Sequence, residues 1–424
     1  MNTMTDRTGK NPLRSILLSG KGESTHMKRI AALFLALCLL LAAAGCAAAP
    51  AAVTAEATAE VTTEATAAEA AAEKDVPELP GLTFVSTMEK IYATQFDVYY
   101  YEGGYKYLTI GDGNAYLVVP EGKEPPAGLD PAVRVLRQPM DSIYLAATGA
   151  MSLFDAMDAL DVITLTSQDA SDWYVEGART AMEEGEILFG GKYSEPDYEL
   201  LVDTDVDLAI ENTMILHSPK VIEMIEMLDI PVFIEYSSYE PHPLGRTEWI
   251  RLYGALLDRE EEADAVFYQR TAVMDTLRDF PNTGKTVAIF LVDTSGKAQV
   301  RSGDDYLSRI VEIAGGNNAF SYLTVADSGH TNVNMTMEEF YATAMDVDYL
   351  IYNASGYSAG VDTLEKMFDK SDLLRDCRAV KEGNVWWIGP ETYQMSDKLG
   401  DLISDIHRML TGEAGEMTFL HHME

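Results

Sequence analysis

Cysteine is scarce in this 424-residue chain: three residues, Cys38, Cys46 and Cys377. So few thiols cannot build a disulfide framework, and the fold must rest on buried apolar surface. Positive charge is also sparse, with 31 Lys and Arg against 68 Asp and Glu and a net charge of −37. That balance excludes nucleic acid or an anionic membrane face as the main partner. Long apolar runs are missing apart from Ile30–Leu41, which is too short to span a bilayer as a permanent helix. What is present is ample core material, 47% apolar residues, which excludes global disorder. The length suggests two or three domains.

The one apolar run has telling flanks. Lys28-Arg29 precede it and Leu41-Ala-Ala-Ala-Gly45-Cys46 follow it, the order of a cleaved signal whose end resembles a bacterial lipobox. Cys46 is then the lipidated first residue of the mature chain. Residues 1–26 fit no signal-peptide region, which leaves Met1 and Met27 both open as the start of translation. Loss of residues 1–45, with six basic and two acidic side chains, takes the net charge from −37 to −41. In Ala47–Glu73, 24 of 27 residues are Ala, Thr or Glu. Nothing there can pack, and Glu56, Glu60 and Glu64 repel at helical spacing, which reads as a solvated leash. Cys38 leaves with the signal and Cys46 takes lipid, so Cys377 is the one remaining thiol, read as inert filler.

The body begins near Leu79. Phe84–Glu121 is rich in Tyr, Val and Thr and broken by Gly103-Gly104 and Gly111-Asp112-Gly113, a β-hairpin or small meander. Beyond Pro131 short apolar strands alternate with helices. Ala132–Leu136, Asp161–Thr166, Val206–Ile210 and Pro231–Ile234 read as strands, Ser152–Leu160 and Pro219–Leu228 as helices. Such alternation implies a mainly parallel sheet. Arg246–Phe280 holds one glycine and no proline, with apolar residues at helical period, and predicts one helix of about 50 Å at 1.5 Å per residue. Alternation then resumes with strands at Thr286–Val292, Tyr349–Tyr352 and Val385–Ile388, and helices at Tyr306–Ala314, Asp362–Phe368 and Ser396–Leu410. The halves echo each other: the text from Glu199 to Val-Asp207-Leu-Ala-Ile matches that from Glu339 to Val-Asp348-Tyr-Leu-Ile, one residue longer. The expected architecture is α/β, two Rossmann-like lobes bridged by a single long α-helix, with an N-terminal β-hairpin extension. Its boundaries are 1–45 extension and signal, 46–79 lipidated cysteine and linker, 80–245 first lobe, 246–280 interlobe helix and 281–424 second lobe.

Several fragments keep a characteristic order across residues 131–412. They are Pro-Asp-Tyr-Glu199, Val-Asp207-Leu-Ala-Ile, Ile230-Pro-Val-Phe, Glu248-Trp-Ile-Arg-Leu-Tyr-Gly254, Ser302-Gly-Asp-Asp-Tyr-Leu307, Ile313-Ala-Gly-Gly-Asn317 and Ala379-Val-Lys-Glu-Gly-Asn-Val385. With the lipobox and leash, they resemble the substrate-binding lipoproteins of ABC importers for iron–siderophore complexes, haem and cobalamin. The resemblance implies a membrane-anchored, non-enzymatic receptor without cofactor, whose partners are a chelated metal in an interlobe cleft and an ABC permease. It also implies that one glutamate per lobe meets a permease arginine, Glu199 in the first and Glu339 (or Glu338) in the second. The alternative for both is a carboxylate that favours a helix N-terminus.

Loops after strands should face the cleft, and they are rich in tyrosine. The candidates for ligand contact are Arg301, Trp173, Tyr144, His217, Tyr239, Arg246, Tyr357 and Tyr393. Aromatic rims suit a flat ligand, and an arginine in so acidic a protein suits an anionic chelate. Arg301 has an ion pair with Asp304 or Asp305 as its competing role. Gly356-Tyr357-Ser358-Ala359-Gly360 matches a nucleophile elbow, but too little chain follows for an acid and a histidine on further strands. No close metal-ligand spacing links His217, His242, His330 and His407, and His421-His422 reads as a frayed tail. A secreted serine hydrolase using Ser358 and a free Zn or Mn receptor therefore stand as alternatives. Ala314-Gly-Gly-Asn317 lacks the Lys-Ser/Thr of a phosphate loop.

Overall fold

The computed structural model describes residues 76–325, 331–354 and 360–424. The lipobox, Cys46 and the leash lie outside those residues. So do Tyr357 and Ser358, with Gly356 and Ala359 of the same motif.

The tyrosine-rich start folds into a five-stranded sheet. β1 (Phe84–Thr87), β2 (Phe96–Tyr101), β3 (Lys106–Ile110), β4 (Ala115–Val119) and β5 (Arg134–Arg137) lie side by side in chain order. The first four are antiparallel and β5 runs parallel to β4. β5 overlaps the segment expected to open the α/β layer. Of its four residues only Leu136 is fully buried, so it suits an edge and not a two-sided parallel layer. Alternate residues Phe96, Val98, Leu108, Ile110, Tyr116 and Val118 share one core with Phe233, Trp249 and Tyr253.

Two sheets with parallel centres follow. In the first, β6 (Ile143–Leu145), β7 (Ile163–Thr166), β8 (Leu188–Phe189), β11 (Leu208–Asn212) and β12 (Val232–Glu235) take the order β12-β11-β6-β7-β8, all parallel. β9 (Gly191–Lys192) and β10 (Glu195–Pro196) form a separate short ladder. The second sheet contains β13 (Thr286–Val292), β14 (Ala298–Arg301), β15 (Asn317–Asn318), β16 (Asn332–Met335), β17 (Tyr349–Asn353), β18 (Val385–Ile388) and β19 (Leu420–His422). Its order is β16-β14-β13-β17-β18-β19, with β15 beside β13. Six of the seven residues of β13 are buried, as a central strand covered on both faces requires. β14, β16 and β19 are antiparallel additions. The pair His421-His422 is therefore no frayed tail: it pairs with Trp387 and Trp386, and Phe419, Leu420 and Met423 are buried beside it.

The sequence echo is a structural repeat. Asp207 Oδ2 accepts from the amides of Asp141 and Ser142, just ahead of β6. Asp348 Oδ2 accepts from the amide and hydroxyl of Thr286, the first residue of β13. Each aspartate immediately precedes a central strand and satisfies its neighbour's leading donors. The Thr286 bonds and Arg378 hold the Asp348 carboxyl below its ordinary range, against the opposing effect of burial.

The 246–280 segment differs from expectation. It is three helices, Pro243–Leu257, Glu260–Thr271 and Val273–Leu277. Asp258 ends the first in the left-handed conformation, φ 56°, and the chain folds back. A Cβ at Gly254 would stand 2.5 Å from that of Ala263, so glycine there permits the two helices to touch. Helical periodicity in sequence reports each helix but not one left-handed residue between them. The first helix, termed the connecting helix below, begins earlier than expected: His242 Nδ1 accepts from the Leu244 amide and Pro243 occupies the first turn. Burial pushes the His242 pKa down to about 4, which keeps its ring neutral as an acceptor.

A candidate ligand cleft beside the connecting helix

Two flanks of the contact between the parallel sheets behave differently. On one, Gln394 follows β18 and is itself fully buried, on a turn whose Tyr393 is exposed. Its amide accepts from the Tyr174 N–H at 2.7 Å and donates to the Asp172 carbonyl at 2.8 Å. A side-chain amide thus satisfies two backbone groups as another peptide unit would. Thr247 Oγ1 donates to the Ser396 carbonyl at 2.7 Å, and Arg270 pairs with buried Asp397 at 3.1 Å. This flank is closed.

The other flank is a cleft of about 840 Å³, within the size range of small-ligand sites. The loop after β12 supplies Ser238, Tyr239, Glu240 and Pro241, and the connecting helix supplies Arg246. Opposite them stand Arg301 at the end of β14, Asp304, Asp305, Tyr306, and Asn332 and Asn334 of β16. Arg246 donates to the Ser238 carbonyl at 2.8 Å, and its guanidinium lies 3.7 Å from the centre of the Tyr306 ring. Its Nε is buried with no hydrogen bond among the described residues. Arg301 Nη1 lies 3.6 Å from Asp305 Oδ2, too long for a good bidentate pair. The facing acids have other duties: Asp305 Oδ1 caps helix Tyr306–Ile313 through the Leu307 amide, and Asp304 Oδ2 accepts from Val325 N. Glu235, at the end of β12, lies behind Arg246. Burial raises its pKa, and the Ser237 N–H bond and Arg246 act in the opposite sense. A guanidinium carries five donors, so among the described residues the two arginines keep unfilled hydrogen-bonding capacity for an anion.

Of the residues expected at a ligand, the structure brings Arg301, Arg246 and Tyr239 to this cleft. Tyr239 is 56% exposed and stacks on Tyr236 at 4.5 Å. Others go elsewhere. Tyr144 lies in β6, fully buried, with its hydroxyl on the Gly191 carbonyl. Trp173 is 2% exposed and packs in the first core. His217 is exposed at the end of a single turn, Thr213–His217, of which Thr213 lines the cleft. Tyr393 accepts from Gln394 Nε2 and meets Tyr174 edge-on at 6.5 Å on the closed flank. Sequence reading missed Tyr306, Asn332 and Asn334. Tyr306 was hidden inside a correctly expected helix, and Asn-Val-Asn-Met carries too little apolar signal to announce a strand.

The two carboxylates expected at a permease also separate. Asp197 caps helix Tyr198–Asp203 and Thr336 caps helix Met337–Ala344. Counted from each cap, Glu199 corresponds to Glu338, and the buried Leu201 to Phe340. Glu339 sits one residue further, where it completes a capping box: its Oε2 accepts from Thr336 N while its own amide donates to Thr336 Oγ1. The positional counterpart of Glu199 is thus Glu338, which takes no part in the capping box. Cys377 is buried, and burial pushes its thiol up to about 11, which suits a packing role.

No protein-family model matches the chain. Two uncharacterized lipoproteins of Methanocaldococcus jannaschii are similar in sequence. One is 23% identical over 350 residues, 78% of this chain and 86% of the relative. The other is 22% identical over 245 residues, and the match spans 57% of each. Among solved structures, a periplasmic binding protein from Veillonella parvula superposes with a TM-score of 0.52 at 15% identity, over 65% of this chain and 92% of its own. A periplasmic haem-binding protein from Pseudomonas aeruginosa gives 0.51 at 13% identity, over 67% and 98%. A possible iron-binding periplasmic solute-binding protein from Staphylococcus epidermidis gives 0.50 at 14%, over 64% and 98%. About a third of this chain thus lies beyond each structural match, while nearly all of each neighbour is used. Among the described residues no helix is long and apolar enough to cross a membrane. The mixed α/β body of this chain has the fold of the periplasmic solute-binding proteins.

Proposed function

We propose that this protein is a lipid-anchored solute receptor that captures a chelated metal in the cleft beside Arg246 and Arg301 and hands it to an ABC permease. It acts without catalysis and without a resident cofactor, on the outer face of a membrane to which Cys46 is tethered. The observation that carries this reading is a cleft of about 840 Å³ with two guanidiniums on opposite walls that are incompletely bonded among the described residues. Haem-binding and iron-binding neighbours share the fold and support the ligand class.

Within that class the lining favours an oxygen-rich anionic chelate, such as a ferric siderophore, over haem. Among the described residues it holds two arginines, two asparagines and serine and threonine hydroxyls beside the already bonded carboxylates of Glu240, Asp304 and Asp305, and Tyr239 and Tyr306 are its sole side chains of a type that takes an axial position on haem iron. A free Zn or Mn ion fits less well. Among the described residues no three His, Cys, Asp or Glu converge as metal ligands, and Asp304 and Asp305 already bond backbone amides.

The test is titration of the purified protein with a ferric catecholate, a ferric hydroxamate, haem, cobalamin and bare Zn and Mn, followed by tryptophan fluorescence. Tight binding of a ferric chelate is expected. Tight binding of bare Zn or Mn with no response to any chelate sinks the reading. Permease docking is assigned to Glu199 and Glu338, with Glu339 a capping residue. Charge reversal at the first two should spare ligand binding and impair uptake, and untouched uptake removes the assignment.

A further inference from the structure

The N-terminal sheet grips the connecting helix at both ends. At its far end the buried Lys106 of β3 donates to the Ala255 carbonyl and pairs with Asp258 and Glu260, each at 2.6 Å. At its near end the segment between β1 and β2 offers five consecutive amides to two buried carboxylates. Those of Ile91, Tyr92 and Ala93 donate to Glu248. Those of Thr94 and Gln95 donate to Glu240, joined by the Thr94 hydroxyl and Trp249 Nε1. Gly245 makes the approach possible: a Cβ there would stand 3.2 Å from both the Tyr92 carbonyl and Glu240 Oε2.

The two glutamates hold the same segment but not the same neighbours. Glu248 belongs to the helix. Glu240 belongs to the cleft wall, between Tyr239 and Pro241 and six residues before Arg246. It is 2% exposed and both its oxygens are occupied, so it is not available to a ligand. Tyr92, from the same segment, stacks at 4.5 Å on His242, the cap of the helix that carries Arg246.

We propose that Glu240 is a positioning residue for ligand binding, through which the N-terminal sheet fixes the cleft wall carrying Tyr239 and Arg246. The inference deepens the receptor reading and rests on it for its functional meaning. It makes residues 84–137 part of the binding apparatus, not a decoration beside it. Four hydrogen bonds to one carboxylate determine the wall's backbone path, and a wall set in advance loses less freedom when a ligand arrives.

The test uses the full chain in detergent micelles, with Glu248→Gln as the control that loosens the same segment and meets the wall only through the Tyr92–His242 stack. Hydrogen exchange is read by mass spectrometry. Glu240→Gln should accelerate exchange of amides in residues 236–242 by tenfold or more and leave helix Leu399–Thr411 unchanged. Glu248→Gln reaches 236–242 only through the stack of Tyr92 on His242 and should change exchange there less than threefold. Affinity for a ferric tris-catecholate complex should fall about tenfold in the first variant only. Equal effects of both variants on 236–242, no effect of Glu240→Gln there, or loosening without loss of affinity overturns the proposal. If Glu240→Gln does not fold, Thr94→Val, which removes one exposed donor, should accelerate 236–242 about threefold, and no change overturns it. If the parent does not bind the probe, the ligand reading fails while the exchange comparison still decides whether Glu240 sets the wall.

Discussion

The two parallel-centred sheets share one register and differ in what they place on it. β11 pairs with β12 residue for residue as β17 pairs with β18: Ala209 with Val232 as Leu350 with Val385, through to Asn212 with Glu235 as Asn353 with Ile388. On this common frame Glu211 occupies the place of Tyr352. Tyr352 is buried, and its hydroxyl accepts from the Val292 amide at 3.2 Å. Glu211 is equally buried, and among the described residues neither of its carboxylate oxygens has a hydrogen-bond partner. Burial pushes its pKa up to about 8. A repeated scaffold thus fixes strand spacing without fixing chemistry. The first sheet keeps a titrating acid where the second keeps a satisfied phenol.

The strongest way to erase that difference is Glu211→Gln. With its folded pKa raised from 4.5 to about 8, the native state keeps a proton that the unfolded chain releases. The contribution of Glu211 to stability is therefore complete below about pH 4.5 and is lost as pH rises to about 8, by at most about 1.4 kcal/mol per unit. Urea unfolding of parent and variant at pH 4.5, 6 and 8 should show a stability difference that grows in favour of Gln with pH. A constant difference shows that Glu211 ionises in the folded protein as it does unfolded.

The next contrast is between the closed and open flanks. Gln394→Ala strands two backbone groups in a fully buried position and should cost about 2–4 kcal/mol in unfolding free energy. Less than about 1 kcal/mol means that water fills the gap and the flank is looser than drawn. On the open flank, Arg246→Ala and Arg301→Ala should each weaken an anionic chelate by about 1.5–3 kcal/mol, measured by fluorescence titration, with little cost in stability at Arg301 and a clear one at Arg246, which leaves the Ser238 carbonyl and the buried Glu235 without it. An unchanged affinity at Arg301 leaves it as the surface partner of Asp305. The smallest contrast lies between adjacent glutamates. Glu339→Ala should lose roughly 0.5–1 kcal/mol through its capping box, whereas Glu338→Ala should stay within about 0.5 kcal/mol of the parent. Equal costs remove the distinction between a capping and a free carboxylate.

Much of this frame was legible in the sequence because strands buried on two faces write continuous apolar runs. Thr286–Val292 and Val385–Ile388 have the expected bounds, and the Val-Asp207 and Val-Asp348 echoes mark the repeat. The helix break at Asp258 was not legible, since its flanks keep helical period and a single left-handed residue leaves no apolar signature. Within the site, arginine stood out against an acidic background, and Arg246 and Arg301 line the cleft. Tyrosine did not discriminate: the same residue type fills β6 as Tyr144, the closed flank as Tyr393 and the cleft as Tyr239. Only the register of each strand and the path of each loop separates these roles.

The Gln394 amide has a consequence for movement. Any opening that preserves its bonds to Asp172 and Tyr174, with Thr247 held to Ser396, must pivot about the line through those contacts. Points near that axis barely travel, and Arg246 is among them, since it adjoins Thr247 in the connecting helix; a movement about it would be carried by the facing wall with Arg301 and β16. The mouth is thus like a book bound along one edge. The side chains whose separation from Arg246 reports such a movement most directly are Asn332 and Asn334 on the facing wall.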